Sequence, residues 1–85
     1  MDDRERQKIR GRIDREYWRS IAKHGNWDDL FYSDMASKIV AEFEEALDAF
    51  EKKDHFGKHG TFNELAQVAA CCEKLMVQIL RRQQL

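Results

Sequence analysis

Apolar side chains recur at helical spacing in three separate segments of this 85-residue chain. Two short segments rich in glycine and polar residues lie between them. No segment alternates apolar and polar residues in the way that a half-buried strand does. The pattern therefore predicts an all-α fold, in which a single domain over residues 1–85 forms an antiparallel three-helix bundle. The predicted helices run over about residues 2–24, 33–53 and 61–82.

The apolar positions of each predicted helix fall mainly on one face, which we expect to point into the core. In the first helix this face is narrow: Ile9, Ile13, Tyr17 and Ile21. In the second it comprises Met35, Ile39, Phe43, Ala46, Leu47 and Phe50. In the third it comprises Leu65, Val68, Cys72, Leu75, Met76 and Ile79. Further apolar residues interrupt the opposite face of the third helix, at Ala66, Ala70 and Val77. That second apolar side predicts an interface between subunits.

Residues with known preferences for helix ends mark the predicted boundaries. His24 followed by Gly25 is typical of a helix end, with glycine in the left-handed conformation. Ser33 is the predicted N-cap of the second helix. Thr61 and Glu64 have the spacing of a capping box, which predicts that the third helix starts at Thr61. Trp27, between the first two helices, is expected to plug one end of the bundle, and stacking on a nucleobase is the alternative.

The bulk properties indicate a small cytoplasmic protein. No apolar run approaches the roughly 18 residues of a membrane span, and the N-terminus lacks the apolar segment of a signal peptide. We expect no membrane partner and free thiols at Cys71 and Cys72, because neighbouring helical residues do not bridge comfortably. Residues 1–27 carry eight Lys and Arg against five Asp and Glu. This basic stretch could contact nucleic acid, but a solvated helix with internal ion pairs is the favoured interpretation.

Two acidic pairs are the most informative chemical feature of the chain. Glu42 and Glu45 lie one helical turn apart, and Glu64 and Gln67 repeat that spacing on the next helix. Both pairs flank an apolar face, where a carboxylate is partly shielded from water. Carboxylate and amide oxygens suit a hard cation such as Mg²⁺. If the two pairs face each other, they form a candidate magnesium site.

The register of the two helices decides whether the acidic pairs can meet. A symmetric hairpin centred on Gly57 would place Glu64 opposite residue 50 rather than Glu45. That offset of five residues corresponds to about 7–8 Å along a helix axis. We therefore expect either that the helices slide past each other or that the loop packs along one of them.

The loop between the second and third helices carries three potential cations: His55, Lys58 and His59. Lys58 and His59 precede a helix N-terminus and are candidate phosphate ligands, although solvated loop residues are the favoured alternative. A zinc site built from His55, His59, Cys71 and Cys72 is disfavoured, because adjacent cysteines lack the spacing of zinc ligands. A Cys–His nucleophile is disfavoured too, because apolar surroundings raise the pKa of a thiol.

Glu42-x-x-Glu45, a gap of eighteen residues and then Glu64-x-x-Gln67 resemble the signature of the MazG-like all-α nucleoside triphosphate pyrophosphohydrolases. That signature is Glu-x-x-Glu, a variable gap and Glu-x-x-Asp. The surrounding sequence is similar as well, including His24-Gly25, Trp27 and the run from Glu64 to Ala70. The resemblance covers roughly residues 18–80, and short relatives from phages and bacteria look most like this chain.

The resemblance implies a homodimer or homotetramer that cleaves a nucleoside triphosphate to the monophosphate and pyrophosphate with Mg²⁺. It implies that Glu42, Glu45, Glu64 and Gln67 hold the metal and that Glu45 and Glu64 take part in catalysis. Gln67 stands where the family has Asp. An amide can ligate a metal but carries no charge, so we expect weak or no activity.

Two other classes of function stay open from the sequence. The first is a non-catalytic oligomeric helical protein that binds a nucleotide or a protein partner on the same scaffold. The second is a nucleic-acid-binding module that uses the basic first helix. The latter is the least favoured, because the chain has no recognition-helix motif and a pI near 6.3.

Overall fold

A computed structural model describes residues 3–83 and contains three α-helices. These are α1 (Asp3–His24), α2 (Tyr32–Glu51) and α3 (Thr61–Gln83). No strand occurs in the described part of the chain, which confirms the all-α prediction. The predicted start of the first helix at residue 2 lies outside the described residues.

The third helix is the centre of the fold. Both α1 and α2 pack against α3, while within residues 3–83 these two helices do not pack against each other. The residues of α3 that become buried follow one stripe at a spacing of four: Ala66, Ala70, Lys74 and Gln78. The small alanines allow close helix packing at one end of the stripe. At the other end, polar side chains are buried and need hydrogen-bond partners.

The predicted inward face of α3 is therefore wrong. Leu65 and Met76 were expected in the core, yet their exposed fractions are 47% and 62%. Ala66 and Ala70 were predicted to lie on an opposite face covered by another subunit, but they are buried within the chain itself. Periodicity locates an apolar stripe but does not say whether it is covered within the same chain.

The apolar stripe of α2 is only partly covered as well. Met35 and Ala46 are buried as predicted, whereas the aromatic and aliphatic side chains one step around the helix are 45–60% exposed. We call the exposed apolar residues of α2 and α3 together the apolar face: Val40, Phe43, Leu47, Phe50, Leu65, Met76, Ile79 and Leu80. The first four follow the 3-4-3 spacing of a coiled-coil seam.

Hydrogen bonds from α3 hold the connection between α1 and α2. Lys74 Nζ donates to Ser20 Oγ at 2.8 Å and lies 4.3 Å from the centre of the Trp27 ring. Gln78 Nε2 donates to the Asn26 carbonyl at 2.8 Å and to Asp28 Oδ1 at 2.7 Å. Trp27 is 8% exposed, so its ring is buried as a plug should be.

The connection between α1 and α2 begins as predicted but does not end as predicted. Gly25 follows the last residue of α1 with φ of 77°, which agrees with its predicted role as a left-handed cap. The predicted N-cap at Ser33 is wrong, because α2 begins at Tyr32 and Phe31 occupies the N-cap position without a side-chain hydrogen bond. Serine at residue 33 therefore lies inside the first turn.

The second connection starts earlier than predicted. Helix α2 ends at Glu51 rather than at residue 53, because Lys53 takes a positive φ of 59° that interrupts the helix. The chain then folds back on itself, with Asp54 Oδ1 accepting the Gly57 amide at 3.0 Å. A β-carbon at Gly60 would lie 2.7 Å from the Gly57 nitrogen, so the loop can close only around glycine.

Helix α3 starts at Thr61, but not through a capping box. The Thr61 hydroxyl donates to the Asp54 carbonyl at 3.1 Å, and the Glu64 amide donates to the Gly60 carbonyl at 2.9 Å. Thr61 thus ties the loop to the helix. The side chain of Glu64 is not engaged in capping and points to a different group of residues.

Candidate metal centre

Three of the predicted metal ligands converge in the structure. Glu42 and Glu45 on α2 and Glu64 on α3 each offer one carboxylate oxygen, and these oxygens lie within 4.8 Å of one another. We call these residues the carboxylate triad. No other trio of His, Cys, Asp or Glu side chains between residues 3 and 83 is arranged to share a metal ion.

The folded-back loop brings the two acidic pairs into register. Because Lys53 ends the helical path and residues 54–60 turn back, α3 starts beside α2 instead of continuing a symmetric hairpin. The Asp54 amide donates to the Ala49 carbonyl, and the Asp54 carbonyl accepts from the Thr61 amide at 2.8 Å. The carboxylate oxygens of Glu45 and Glu64 lie within 4.8 Å of each other, so the expected offset between them is absent.

The triad combines burial with missing partners. Glu64 is 4% exposed, Glu42 is half-buried and Glu45 is exposed. Glu42 Oε2 and Glu64 Oε2 are both buried and accept no hydrogen bond within the described chain. A buried carboxylate oxygen without a donor is unfavourable, since desolvation of a charged group is costly unless it is paired.

Burial also changes the proton affinity of these carboxyls. The pKa of Glu64 is raised, first by burial and then by the charges of Glu45 and Glu42, while His59 opposes the shift. The pKa of Glu42 is raised by burial and by Glu45. Both shifts have the direction expected when like charges share one shielded site without a cation.

The remaining predicted site residues lie around the triad at different distances. His59 Nδ1 lies 3.7 Å from Glu64 Oε1, and the imidazole itself is largely exposed. Gln67 is half-buried, one turn beyond Glu64, and lines a cavity together with Glu42, Lys58 and His59. The structure therefore gathers Glu42, Glu45 and Glu64 into one cluster and puts the predicted phosphate ligands at its edge.

The disfavoured alternatives find no support in the geometry. His55, His59 and the two cysteines do not form a potential metal site in the described part of the chain. The His55 ring instead lies 3.2 Å from the Thr61 hydroxyl. Burial raises the pKa of Cys71 to about 11, with Glu42 adding to the shift, so its thiol is a poor nucleophile.

Two of the openings beside the triad differ in charge. On one side an acidic groove of about 790 Å³ is lined by Glu44, Glu45, Asp48, Asp54 and Glu64. On the other side a cleft of about 370 Å³ lies between α1 and the second loop, with Glu42 in its wall. The triad thus separates an acidic surface from a basic one.

Sequence reasoning missed the buried polar residues that support the site. Lys74 and Gln78 are each 2% exposed, and Glu16 on α1 is 5% exposed. The sequence signal for this buried face was the spacing of four residues between Ala66, Ala70, Lys74 and Gln78. Lys74 and Gln78 were not predicted to be buried, because charged and polar side chains are rarely buried without a partner.

No protein-family model, curated protein or solved structure matches this chain significantly. None of the helices within residues 3–83 has both the length and the apolar character that crossing a membrane requires.

Proposed function

We propose that this chain is a MazG-like nucleotide pyrophosphohydrolase or a degenerate relative, and that its carboxylate triad binds Mg²⁺. The observation that carries this proposal is the convergence of Glu42, Glu45 and Glu64 within 4.8 Å, with two of their oxygens buried and lacking donors. Acidic side chains are common on helices, but the buried Glu64 Oε2 has no donor, and a bound cation would supply the missing partner.

Electrostatic repulsion within the triad supports a cation in preference to an empty cluster. Two unit charges 4.8 Å apart repel by about 3 kcal/mol at an effective dielectric constant of ~20. Because Glu45 is exposed, screening by water makes the repulsion smaller in the two pairs that include Glu45. A divalent cation removes the repulsion and supplies the missing partner of each buried oxygen. Oxygen-only ligands from carboxylates fit Mg²⁺.

The three carboxylates have different environments and so suit different tasks. A bound Mg²⁺ would neutralise phosphate charge and lower the pKa of a water molecule. Glu45 is the exposed member and borders the acidic groove, where it can accept a proton from water. Glu64 is buried and fixed on α3, so it serves to hold charge and geometry. The proposed reaction releases pyrophosphate from a nucleoside triphosphate.

Gln67 limits the activity that this site can have. It lines the same cavity as Glu42, yet its amide carries no charge. With three carboxylates instead of four acidic groups, the site attracts a dication less strongly. We therefore propose weak or absent turnover in the wild-type protein, while metal binding by the triad is retained.

Assembly into a homodimer or homotetramer is part of the proposal. The apolar face leaves Phe43, Leu47 and Phe50 between 45% and 60% exposed. A row of large apolar side chains with coiled-coil spacing is typical of a surface that is covered by another subunit.

The second candidate is a non-catalytic oligomeric helical protein that binds a nucleotide or a protein partner. The same apolar face favours it, and so does the neutral Gln67. The two candidates share a fold and an assembly and differ only in whether the triad performs chemistry. A cytoplasmic location stays a prediction of both.

A pyrophosphate-release assay over a panel of nucleoside triphosphates separates the two candidates. The first predicts a low Mg²⁺-dependent rate that Glu64→Gln abolishes, that Gln67→Asp raises and that Glu73→Gln, a control on the same helix, leaves unchanged. Absence of turnover in both the wild type and Gln67→Asp, despite Mg²⁺ binding, would favour the non-catalytic candidate. If Glu42→Gln and Glu45→Gln change neither metal binding nor turnover, the site assignment is wrong.

A further inference from the structure

Cations from two parts of the chain surround the cleft between α1 and the second loop. Helix α1 contributes Arg19, Lys23 and His24, and the loop contributes Lys58 and His59. We call this cavity the cationic cleft. Its volume of about 370 Å³ lies within the range of small-molecule sites. The cations come from segments more than thirty residues apart in sequence, so folding, rather than one charged run, creates the cluster.

The charge of the cleft is positive even before its histidines are counted. Three permanent cations, Arg19, Lys23 and Lys58, face two carboxylates, Glu16 and Glu42. Lys23 and Lys58 have no ion-pair partner among residues 3–83. Their charges are therefore available to a ligand.

The guanidinium of Arg19 is held in place by a buried acid. Glu16, 5% exposed, accepts a hydrogen bond from Arg19 Nη1 at 3.4 Å and lies 4.0 Å from Arg12 Nη1. An arginine fixed in this way loses less conformational entropy when it binds an anion. Glu16 acts through Arg19 and is a positioning residue.

The floor and wall of the cleft connect it to the carboxylate triad. Glu42 belongs to both, and His59 lies in the cleft while its Nδ1 is 3.7 Å from Glu64 Oε1. An anion in the cleft therefore lies next to the site at which a cation is proposed. The acidic groove carries five carboxylates against Lys52 and His59, so the cleft is better suited to an anion than the groove is.

From this arrangement we infer that the cationic cleft binds the phosphate groups of a polyphosphate, with Arg19 and Lys23 of α1 and Lys58 of the loop as the ligand-contacting cations. The class of ligand is a linear polyphosphate, either free or as the phosphate chain of a nucleotide. The role of the cleft in catalysis rests on the proposed function, because the cleft would then hold the pyrophosphate that the reaction releases. Binding of the anion does not depend on catalysis.

Calorimetric titration of the full chain with tripolyphosphate in EDTA, at fixed ionic strength, tests the inference. The double variant Lys23→Gln/Lys58→Gln should weaken binding at least about tenfold, the size expected when charge-assisted contacts are lost. The matched control Lys8→Gln/Arg15→Gln makes the same change in net charge on exposed residues of α1 outside the cleft, and should change binding less than about twofold. Equal losses in the two double variants would overturn the inference.

Two further titrations distinguish a nucleotide from free polyphosphate as the ligand, and distinguish failure of this inference from failure of the proposed function. A nucleoside triphosphate should lose affinity by the same factor as tripolyphosphate in the cleft variant. If the nucleotide binds and tripolyphosphate does not, the phosphate chain is not what the cleft recognises and the inference fails. Mg²⁺ binding by the same variant should be retained or tightened, because the substitutions remove two cations near the triad and none of its ligands. Tripolyphosphate binding without Mg²⁺ binding would leave the inference standing and remove the proposed function.

Discussion

Replacing Glu64 by glutamine should have opposite effects on stability without and with a divalent cation. The side chain is 4% exposed, and its Oε2 accepts no hydrogen bond within residues 3–83. An unsatisfied buried polar group costs about 1–3 kcal/mol, and a charged one costs more. Glutamine has nearly the same shape, carries no charge and can donate to Glu42 or Glu45. We therefore expect Glu64→Gln to raise the free energy of unfolding of the metal-free protein by about 1–3 kcal/mol.

Thermal unfolding at pH 8 in EDTA measures this gain. For a domain of this size, 1 kcal/mol corresponds to about 4–8 °C in Tm. With Mg²⁺ at a thousand times its Kd the wild type gains about 4.1 kcal/mol, whereas Glu64→Gln gains almost nothing. The order of the two melting temperatures should then reverse. Protein concentration is held equal in every sample, because assembly makes Tm concentration-dependent.

The pH dependence of stability tests whether the charge of Glu64 causes the difference between the wild type and Glu64→Gln. The pKa of Glu64 in the folded protein is raised above its ordinary value of 4.5, so the native state keeps a proton that the unfolded state has lost. Metal-free stability therefore falls as pH rises through the interval between 4.5 and the raised pKa. The advantage of Glu64→Gln should grow over that interval and vanish below it.

The control is Glu73→Gln on the same helix, outside the triad, which should stay within about 0.5 kcal/mol of the wild type. The reasoning is refuted if Glu64→Gln destabilises the metal-free protein at pH 8, because the carboxylate would then make stabilising contacts. It is refuted equally if Mg²⁺ raises the Tm of both proteins alike.

Four other substitutions, two of them compared with each other, test separate parts of the account. Gln67→Asp adds a charge beside the triad and should tighten Mg²⁺ binding about tenfold in a calorimetric titration; no change would remove Gln67 from the site. Leu47→Glu should convert the expected oligomer to a folded monomer in light scattering, a prediction that fails if the wild type is already monomeric at high concentration. Gly60→Ala would put a β-carbon 2.7 Å from the Gly57 nitrogen and should destabilise the fold by about 1–3 kcal/mol in chemical unfolding. Gly11→Ala, with open space around it, should stabilise the fold by about 1 kcal/mol. Equal effects of the two substitutions would contradict the loop geometry.

Helix number and type followed from the sequence because the apolar period is regular over each long segment. Gly25 ended α1 as expected, since only a left-handed cap was needed and glycine adopts it without strain. The end of α2 was missed because Lys53 takes a positive φ without being glycine. No local residue preference announces that conformation.

The buried face of α3 could not be predicted from apolar periodicity. Lys74 and Gln78 are buried because α1 and its connection to α2 offer them partners: the Ser20 hydroxyl, the Asn26 carbonyl and the Trp27 ring. Such long-range partners are invisible in a helical wheel. The wheel therefore placed the apolar stripe in the core of the same chain and gave no sign that Lys74 and Gln78 are buried.

The residues of the candidate site could be predicted from the sequence, but their arrangement in space could not. Spacing placed Glu42 with Glu45 and put Glu64 on the next helix. Whether the pairs meet depended on the loop, where the close approach of Gly60 to Gly57 allows the chain to fold back. The cations of α1 that line the cleft were not predicted, because the packing of α1 on α3 brings them near the triad.

Direct titration with Mg²⁺ in two buffers of different ionisation enthalpy tests the central claim, that the carboxylate triad is a cation site. At a pH just above 4.5, the ordinary glutamate value, the wild type should bind Mg²⁺ saturably and release protons, since the raised pKa values of Glu42 and Glu64 leave carboxyls to be deprotonated. Glu64→Gln should abolish most of this binding and Glu73→Gln none of it. Saturable binding that survives intact in Glu64→Gln, or no saturable binding by the wild type, would contradict the account.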